Sequence, residues 1–139
     1  MATLNPYLNF PGNAEEAFSF YRSVFGGDYM IQRFKEIPDM ENLSDEDGEK
    51  AMHISFPIGD CTLMASDVLS SQNQQLTSGN NFYISIDAKS EEEANRFFDG
   101  LSAGGEVEMP MQRTFWNAYF GMLKDPYGIK WMVNYDYQE

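Results

Sequence analysis

The feature that most constrains the fold of this chain is an internal duplication of about 70 residues. The segment NAEEAFSFYRSVFGGD at 13–28 matches SEEEANRFFDGLSAGGE at 90–106, with one extra residue before the paired glycines. Strand-like segments repeat around it: YLNF and FYISID precede the two segments, and TLMAS and KWMVN close the two halves. Two copies are too few for a solenoid, so the repeat predicts two similar modules.

The repeated segments have the apolar spacing of amphipathic helices. This spacing predicts helices from Asn13 to Phe25 and from Ser90 to Ala103. The first residue of each is a predicted N-cap, a glutamate three residues later completes a capping box, and paired glycines end the helix. The predicted core stripes are Ala17, Phe20, Tyr21 and Val24 in the first helix, and Ala94, Phe97, Phe98 and Leu101 in the second.

Each half has the order strand, helix, strand, strand, strand, and tight turns at 58–60 and 125–128 join the last two strands. The predicted fold class is therefore α+β, with two tandem βαβββ modules and mixed curved sheets. Because a four-stranded sheet with one helix cannot bury both faces, we expect the sheets to meet around a shared cleft. We predict one domain over residues 1–139, made of modules 1–70 and 78–139.

The charge of the chain argues against nucleic acid as a partner. The formal net charge is −13, with only 9 Lys and Arg residues, whereas phosphate binding needs a basic face. Several of the acids fall between Glu36 and Glu49, where the sequence predicts a solvated loop. The run SDEDGE at 44–49 lacks the spacing of a calcium loop.

The apolar segments argue against a membrane address. No segment approaches the roughly 18 apolar residues of a membrane span, and residues 1–7 lack the pattern of a signal peptide. The single Cys61 cannot form an internal disulfide, which fits a reducing compartment. We therefore expect a cytoplasmic protein in which Cys61 is a buried packing residue.

The whole pattern resembles the vicinal-oxygen-chelate superfamily, which includes glyoxalase I, bleomycin-resistance proteins and extradiol dioxygenases, and most closely its PhnB-like branch. Members usually pair as homodimers, so the resemblance implies a homodimer here. The residues that carry it are PYLNF at 6–10, EEAFSFYRSVFGG at 15–27, LMASD at 63–67, GNNFYISI at 79–86, EEEANRFFDGLSAGGEVEMPMQ at 91–112 and FWNAYFGMLKDPYGIKWMVN at 115–134.

Proteins of this branch often carry a demethylubiquinone methyltransferase label. Doubly wound enzymes that use S-adenosylmethionine have a glycine-rich loop that leads from a strand into a helix. Here both glycine pairs follow predicted helices, so they indicate C-caps. The sequence therefore gives the label no physical support.

In metal-using members of the superfamily, His and Glu side chains from the first and last strand of each module hold a cation. Carried onto this sequence, those positions offer no His, Asp or Glu: Asn81 lies near an expected His, and Met132 stands where Glu is expected. Met64 matches Met132 in the repeat. Hard divalent ions prefer oxygen and imidazole ligands, so we predict no strong metal site and no cofactor.

Three polar residues on predicted strands are candidates for chemistry. His53, the only histidine, is a candidate for proton transfer, or alternatively a half-buried strand residue. Asp67 and Asn134 end the fourth and eighth strands in places that the duplication relates, where they could orient a polar ligand or cap strand ends.

The segment from Gln112 to Phe120 is the densest concentration of aromatic residues with polar tips. Such side chains line small-molecule pockets, but about half of them must face the helix because strand residues alternate. If Tyr119 faces the cleft, Phe120 faces the helix. The predicted ligand-binding residues are Gln112, Trp116, Tyr119, Asn134, Asp67 and Asn81.

Three functions fit these observations. We rank first a protein that binds a small molecule in an aromatic cleft without a strong metal site. The second is an enzyme, either a metal-dependent lyase or dioxygenase-like catalyst or a metal-free acid-base catalyst that uses His53. The third is a dimeric interaction module.

Overall fold

The computed structural model describes residues 2–38, 43–69 and 76–137. The chain divides into two compact units, Met1–Thr77 and Ser78–Glu139. Each unit contains one four-stranded mixed sheet and a long helix, so the α+β class and the duplicated βαβββ order are confirmed. The predicted junction between the modules falls largely on residues 70–75, which lie outside the described residues.

The elements of the first unit are β1 (Tyr7–Phe10), α1 (Ala14–Phe25), β2 (Met30–Arg33), α2 (Asp45–Glu49), β3 (Ala51–Ile58) and β4 (Cys61–Asp67). The strands lie in the sheet in the order β1-β4-β3-β2, with β1 parallel to β4 and the other pairs antiparallel. A 3-10 helix at Phe34–Glu36 and the short helix α2 lie between β2 and β3 along the chain.

The elements of the second unit are β5 (Ile84–Asp87), α3 (Glu91–Ser102), β6 (Glu106–Arg113), β7 (Ala118–Lys124) and β8 (Lys130–Asp136). This unit repeats the topology of the first with the strand order β5-β8-β7-β6, in which β5 is parallel to β8. The two predicted turns join β3 to β4 and β7 to β8.

One face of each sheet packs on the long helix of its unit and forms the core. In α3 the buried residues are the four predicted ones, but in α1 Phe18 is buried while Phe20 and Val24 are only half-buried. The ring of Phe18 contacts those of Phe10, Tyr21 and Phe56 with centroid distances of 5.3 to 6.3 Å. The prediction that Phe20 and Val24 are core residues was wrong, because the helix turns a different stripe towards the sheet. This stripe also has the helical period, and its residues are Ala14, Ala17, Phe18 and Tyr21.

The predicted helices are confirmed to within one residue at each end, but the capping differs between them. The hydroxyl of Ser90 accepts from the Glu93 backbone N–H at 3.0 Å, as predicted. Asn13 makes no side-chain cap, and the first backbone N–H of α1, from Ala14, donates to Asp67 Oδ1 at 2.9 Å instead.

The prediction of a solvated acidic loop before β3 was wrong about the loop at residues 45–49, whereas four of the five described acids, Glu36, Asp45, Glu46 and Glu49, are exposed as predicted. Residues 45–49 form α2, because the Ser44 hydroxyl caps it by accepting from the Asp47 backbone N–H at 3.1 Å. The Asp47 side chain is buried and pairs with Lys50 at 3.1 Å. Residues 39–42, which include two of the acids, lie outside the described residues.

The prediction that Cys61 is buried was also wrong, since the thiol is exposed. Cys61 is the first residue of β4, directly after the Gly59-Asp60 turn. Leu63 and Ala65 are buried, so the buried part of β4 begins at Leu63, two residues after Cys61.

Candidate ligand-binding site

The face of the second sheet that is turned away from α3 carries two cross-strand rows. The first, called the polar row, joins Gln112 of β6, Phe120 of β7, Asn134 of β8 and Asp87 of β5 through direct strand pairs. The second, called the methionine row, joins Met109, Met122, Met132 and Ser85 in the same strand order. Directly paired residues share a face, so each row is a line of neighbouring side chains.

The residues that alternate with these rows establish which face they occupy. Trp131 and Val133 flank Met132 in sequence and are buried in the core that α3 covers. The Tyr119 hydroxyl donates to Asn95 Oδ1 of α3 at 2.8 Å, so Tyr119 lies on the helix side. Phe120 therefore lies on the opposite face, with Asn134.

Trp116 extends the polar row at the tip of the hairpin that joins β6 to β7. Its ring packs edge-on against Phe120 with centroids 6.1 Å apart, and against Phe115 at 4.9 Å. The turn is fixed by Thr114, whose backbone N–H donates to the Ala118 carbonyl at 2.8 Å. Trp116 stays 55% exposed, which makes it a large apolar contact surface held in a defined position.

Asn134 is oriented by two carboxylates. Its Nδ2 donates to Asp87 Oδ1 and to Asp136 Oδ1, each at 3.1 Å. An amide whose rotation is fixed in this way can present a defined hydrogen-bonding edge to a ligand. The structure thus brings together Gln112, Trp116 and Asn134 and adds Phe120 and Asp87, which sequence reasoning did not name as ligand-binding residues.

A cluster of three polar residues lies beyond the methionine row. Lys130 Nζ donates to Glu108 Oε2, and the Tyr83 hydroxyl donates to Glu108 Oε1 at 2.5 Å. Lys130 also lies over the Tyr83 ring, 5.0 Å from its centroid. The hydrogen bonds from Lys130 and Tyr83 lower the pKa of Glu108, and the bond to Glu108 raises the pKa of Lys130. This cluster holds its charges in a neutral pair and closes one end of the face.

The first unit has corresponding rows on the face of its sheet turned away from α1. Tyr7, Met64, Ser55 and Met30 form one row through direct pairs. His53 pairs with Gln32 in the register, and its Nδ1 lies 3.4 Å from the Tyr7 hydroxyl. The predicted proton-transfer residue is thus half-buried beside a phenol.

Asn134 lies on the face of its sheet that is turned away from the helix, whereas Asp67 does not. It is buried, and its two oxygens accept from the backbone N–H groups of Ala14 and Ala51 at 2.9 and 2.8 Å. The repeat pairs Met64 with Met132, so the counterpart of Asn134 is Ser66, one residue before Asp67. The predicted equivalence was wrong because a shift of one residue moves a strand side chain to the other face.

Asn81 lies before the fifth strand, which begins at Ile84. In metal-using members of the superfamily a histidine is expected on this strand, and the sequence analysis placed it near Asn81. The residue of β5 that pairs with Met132 is Ser85, so Ser85 stands at that position. Asn81 is exposed in the loop. Its predicted contact with a ligand stays a prediction.

The residues around Met64 and Met132 do not fit a hard divalent ion. Their strand neighbours are Tyr7 and Ser55 for Met64, and Ser85 and Met122 for Met132. Over residues 2–38, 43–69 and 76–137, no three His, Cys, Asp or Glu side chains converge as metal ligands. Thioethers and hydroxyls are a poor ligand set for the ions that the superfamily uses.

The two glycine pairs, Gly26-Gly27 and Gly104-Gly105, follow helices. Gly26 has φ +78° and its N–H donates to the Arg22 carbonyl at 2.8 Å, as a C-cap. Gly104 likewise follows α3 with φ +79°. Neither pair leads from a strand into a helix, so they do not fit the dinucleotide-type loop of a doubly wound methyltransferase.

Among the described residues, no helix has the length and apolar character needed to cross a bilayer.

Comparisons with known proteins agree with this architecture. Protein YjdN of Escherichia coli (strain K12) is 33% identical over 140 residues, covering 94% of this chain and 93% of that protein. The crystal structure of PA1353 from Pseudomonas aeruginosa is 37% identical with a TM-score of 0.86, covering 98% of each chain. A structure from Bacillus cereus, described as a putative 3-demethylubiquinone-9 3-methyltransferase, PhnB protein, is 26% identical with a TM-score of 0.73, covering 96% of this chain and 99% of that one.

More distant structures at 17 or 18% identity, described as glyoxalase/bleomycin resistance or glyoxalase-related proteins, show the shared fold alone. Residues 2–134 match the family described as 3-demethylubiquinone-9 3-methyltransferase. The chain therefore belongs to this PhnB-like family, on the vicinal-oxygen-chelate fold of the glyoxalase/bleomycin resistance/dioxygenase proteins.

Proposed function

We propose that this chain binds a small organic molecule on the polar row of its second sheet, without a strong divalent metal site. The observation that carries the proposal is the convergence of Trp116, Phe120, Gln112 and Asn134 on one sheet face, through direct strand pairs and a ring contact of 6.1 Å. Aromatic contact area next to a few fixed hydrogen-bonding groups is typical of small-molecule sites.

The neighbouring methionine row supports the same function. Met122 and Met132 are half-buried and directly paired, so they provide an apolar floor next to Phe120. Methionine is unbranched and polarizable, and it adapts its shape to aromatic ligands. The face therefore favours a ligand with a flat apolar body and one or two polar substituents.

A second candidate function, metal-free acid-base catalysis, is favoured by one contact. The Tyr7 hydroxyl lies 3.4 Å from His53 Nδ1, and the rings are 5.8 Å apart. If Nδ1–H donates to the phenol oxygen, the neutral imidazole has its lone pair on Nε2, which can accept a proton as a base and return it as an acid. A metal-dependent mechanism has less support, because the residues around Met64 and Met132 are not ligands for hard ions.

The localisation and assembly that we propose are a cytoplasmic homodimer. The edge strands β2 and β6 present Met30 and Val107, which are exposed apolar residues. Exposed strand edges with apolar residues favour pairing with a second copy, often through a two-fold axis. Sedimentation equilibrium should give twice the chain mass of 15.9 kDa, and a monomer at high micromolar concentration would contradict the dimer.

The binding proposal is tested by screening aromatic small molecules by calorimetry against wild type, Trp116→Ala and Phe82→Ala. Phe82 is the matched control, since it is an exposed aromatic residue of the same unit that lies before β5 and outside the polar row. Trp116→Ala should weaken the binding of a hit by about 1–3 kcal/mol, the range for loss of a buried aromatic contact, and Phe82→Ala should leave it unchanged.

Circular dichroism must show that both variants remain folded, which the exposure of Trp116 and Phe82 leads us to expect. Equal affinities of all three proteins for every hit would show that the polar row is not the binding site. For the second candidate, His53→Gln should abolish turnover of a substrate whose binding it leaves intact.

A further inference from the structure

The methionine row places three thioethers side by side on three adjacent strands. Met109 of β6 pairs directly with Met122 of β7, which pairs directly with Met132 of β8. All three are half-buried, whereas Met111 lies on the other face, where its Sδ would contact a side chain at Gly121. A run of three paired methionines is more than an apolar floor requires, because Leu or Val would fill that role with a better-defined rotamer.

Strand geometry allows the three sulfurs to meet at one point. Directly opposed side chains have their Cβ atoms about 4.5–5.5 Å apart, and Met122 is the central member of the row. Methionine is unbranched with three rotatable bonds, so the sulfurs of Met109 and Met132 can lean towards that of Met122. A trigonal arrangement of three thioethers requires the two outer side chains to lean inward across the roughly 9–11 Å that separates their Cβ atoms.

The chemistry of this ligand set is specific. Thioethers are soft, neutral ligands that select Cu(I) over the hard divalent ions. Two cations lie beyond the row, Lys130 and its direct strand partner Lys124. Lys130 is paired with Glu108, which also interacts electrostatically with Lys124, so a monovalent cation in the row meets less repulsion than a divalent one. We propose that Met109, Met122 and Met132 form a binding site for a soft monovalent cation, Cu(I), for which Ag(I) is a redox-inert substitute.

The first unit provides an internal contrast. In the corresponding row, Ser55 stands between Met64 and Met30, so the two thioethers are not direct neighbours. The same fold thus contains one row with three adjacent thioethers and one row without adjacent thioethers. The proposed cation site shares Met122 and Met132 with the apolar floor of the proposed small-molecule site, but it depends on the sulfurs and does not require the polar row.

The test uses full-length protein with Cys61→Ser, because the exposed thiol of Cys61 would itself bind soft metals. The protein carries ¹³C-labelled methionine methyl groups and is titrated with silver nitrate. Single Met→Leu variants assign the signals, and this exchange nearly conserves side-chain volume, so the variants should stay folded. Met64→Leu is the matched control. A competition assay against bicinchoninate, under anaerobic conditions, measures the affinity for Cu(I) itself.

The methyl signals of Met109, Met122 and Met132 should shift together and saturate at one Ag(I) per chain. Met122→Leu should weaken Ag(I) and Cu(I) binding at least tenfold, and Met64→Leu should not change it. Met132→Leu provides a second variant, should Met122→Leu not fold. The proposal is overturned if the three signals do not move together, if saturation requires several ions, or if the row variants bind as tightly as Met64→Leu.

Discussion

Replacing Asp67 tests whether this residue stabilises the fold or binds a ligand, as the sequence suggested. The two carboxylate oxygens accept from the backbone N–H groups of Ala14 and Ala51, at 2.9 and 2.8 Å, in a buried position. Asp67→Ala leaves both donors without a partner, and each unsatisfied buried donor costs about 1–3 kcal/mol. The variant should therefore lose about 2–6 kcal/mol of unfolding free energy, a large part of the roughly 5–15 kcal/mol of a typical domain.

Asp67→Asn should lose about half as much, since its amide keeps one acceptor oxygen for one of the two donors. Asp136→Ala is the control, because Asp136 is an exposed strand-end carboxylate whose partner is Asn134; its effect on stability should stay within about 0.5 kcal/mol. Urea unfolding followed by circular dichroism measures all three variants. If Asp67→Ala proves as stable as wild type but loses ligand affinity, the structural assignment of Asp67 is wrong.

Two further predictions concern pH and metal content. The pKa of Glu108 is lowered by the hydrogen bonds from Lys130 and Tyr83, so this carboxylate stabilises the fold above its unfolded pKa of about 4.3, and that stabilisation is lost as the pH falls through the lower folded value. Glu108→Gln should therefore show a shallower loss of stability on acidification below about pH 5 than wild type, in urea titrations at each pH; identical profiles would contradict this reasoning. Elemental analysis of freshly purified protein should find no stoichiometric Zn, Ni, Mn or Fe, and about one tightly held ion per chain would require ligands that the strand positions around Met64 and Met132 do not supply.

The repeat predicted the two long helices, the order of strands and helices along the chain, and the two turns, because these depend on local patterns. Ser90, with Glu93 three residues later, is a local capping signal, and the structure has that cap. Asn13 has the same signal, but Asp67, 53 residues away in sequence, takes the backbone N–H of Ala14. A tertiary contact of this kind overrides a local preference, and a single sequence does not reveal it.

Prediction of the candidate site depended more strongly on strand register than prediction of the fold did. The polar row and the methionine row exist only once β6, β7 and β8 are paired, and bulges in β6 on both sides of Met109 shift that pairing by a residue. The sequence analysis named Tyr119 as a ligand-binding residue, but Tyr119 contacts Asn95 of α3, and Phe120 is the residue that shares a face with Asn134, because one residue along a strand changes the face. The link from Lys130 to Glu108 joins residues 22 apart on strands that are not neighbours in the sheet, which no spacing rule predicts.

The most direct test of the proposed function follows the two tryptophan indole N–H signals by NMR during titration with a ligand from the screen. Trp116 is exposed on the polar row, whereas Trp131 is buried and donates to Asp125 Oδ2 at 2.9 Å. Binding on the polar row predicts that the Trp116 signal shifts and saturates while the Trp131 signal stays in place. A ligand that saturates the protein while only the Trp131 signal moves, or neither does, would contradict the proposed function.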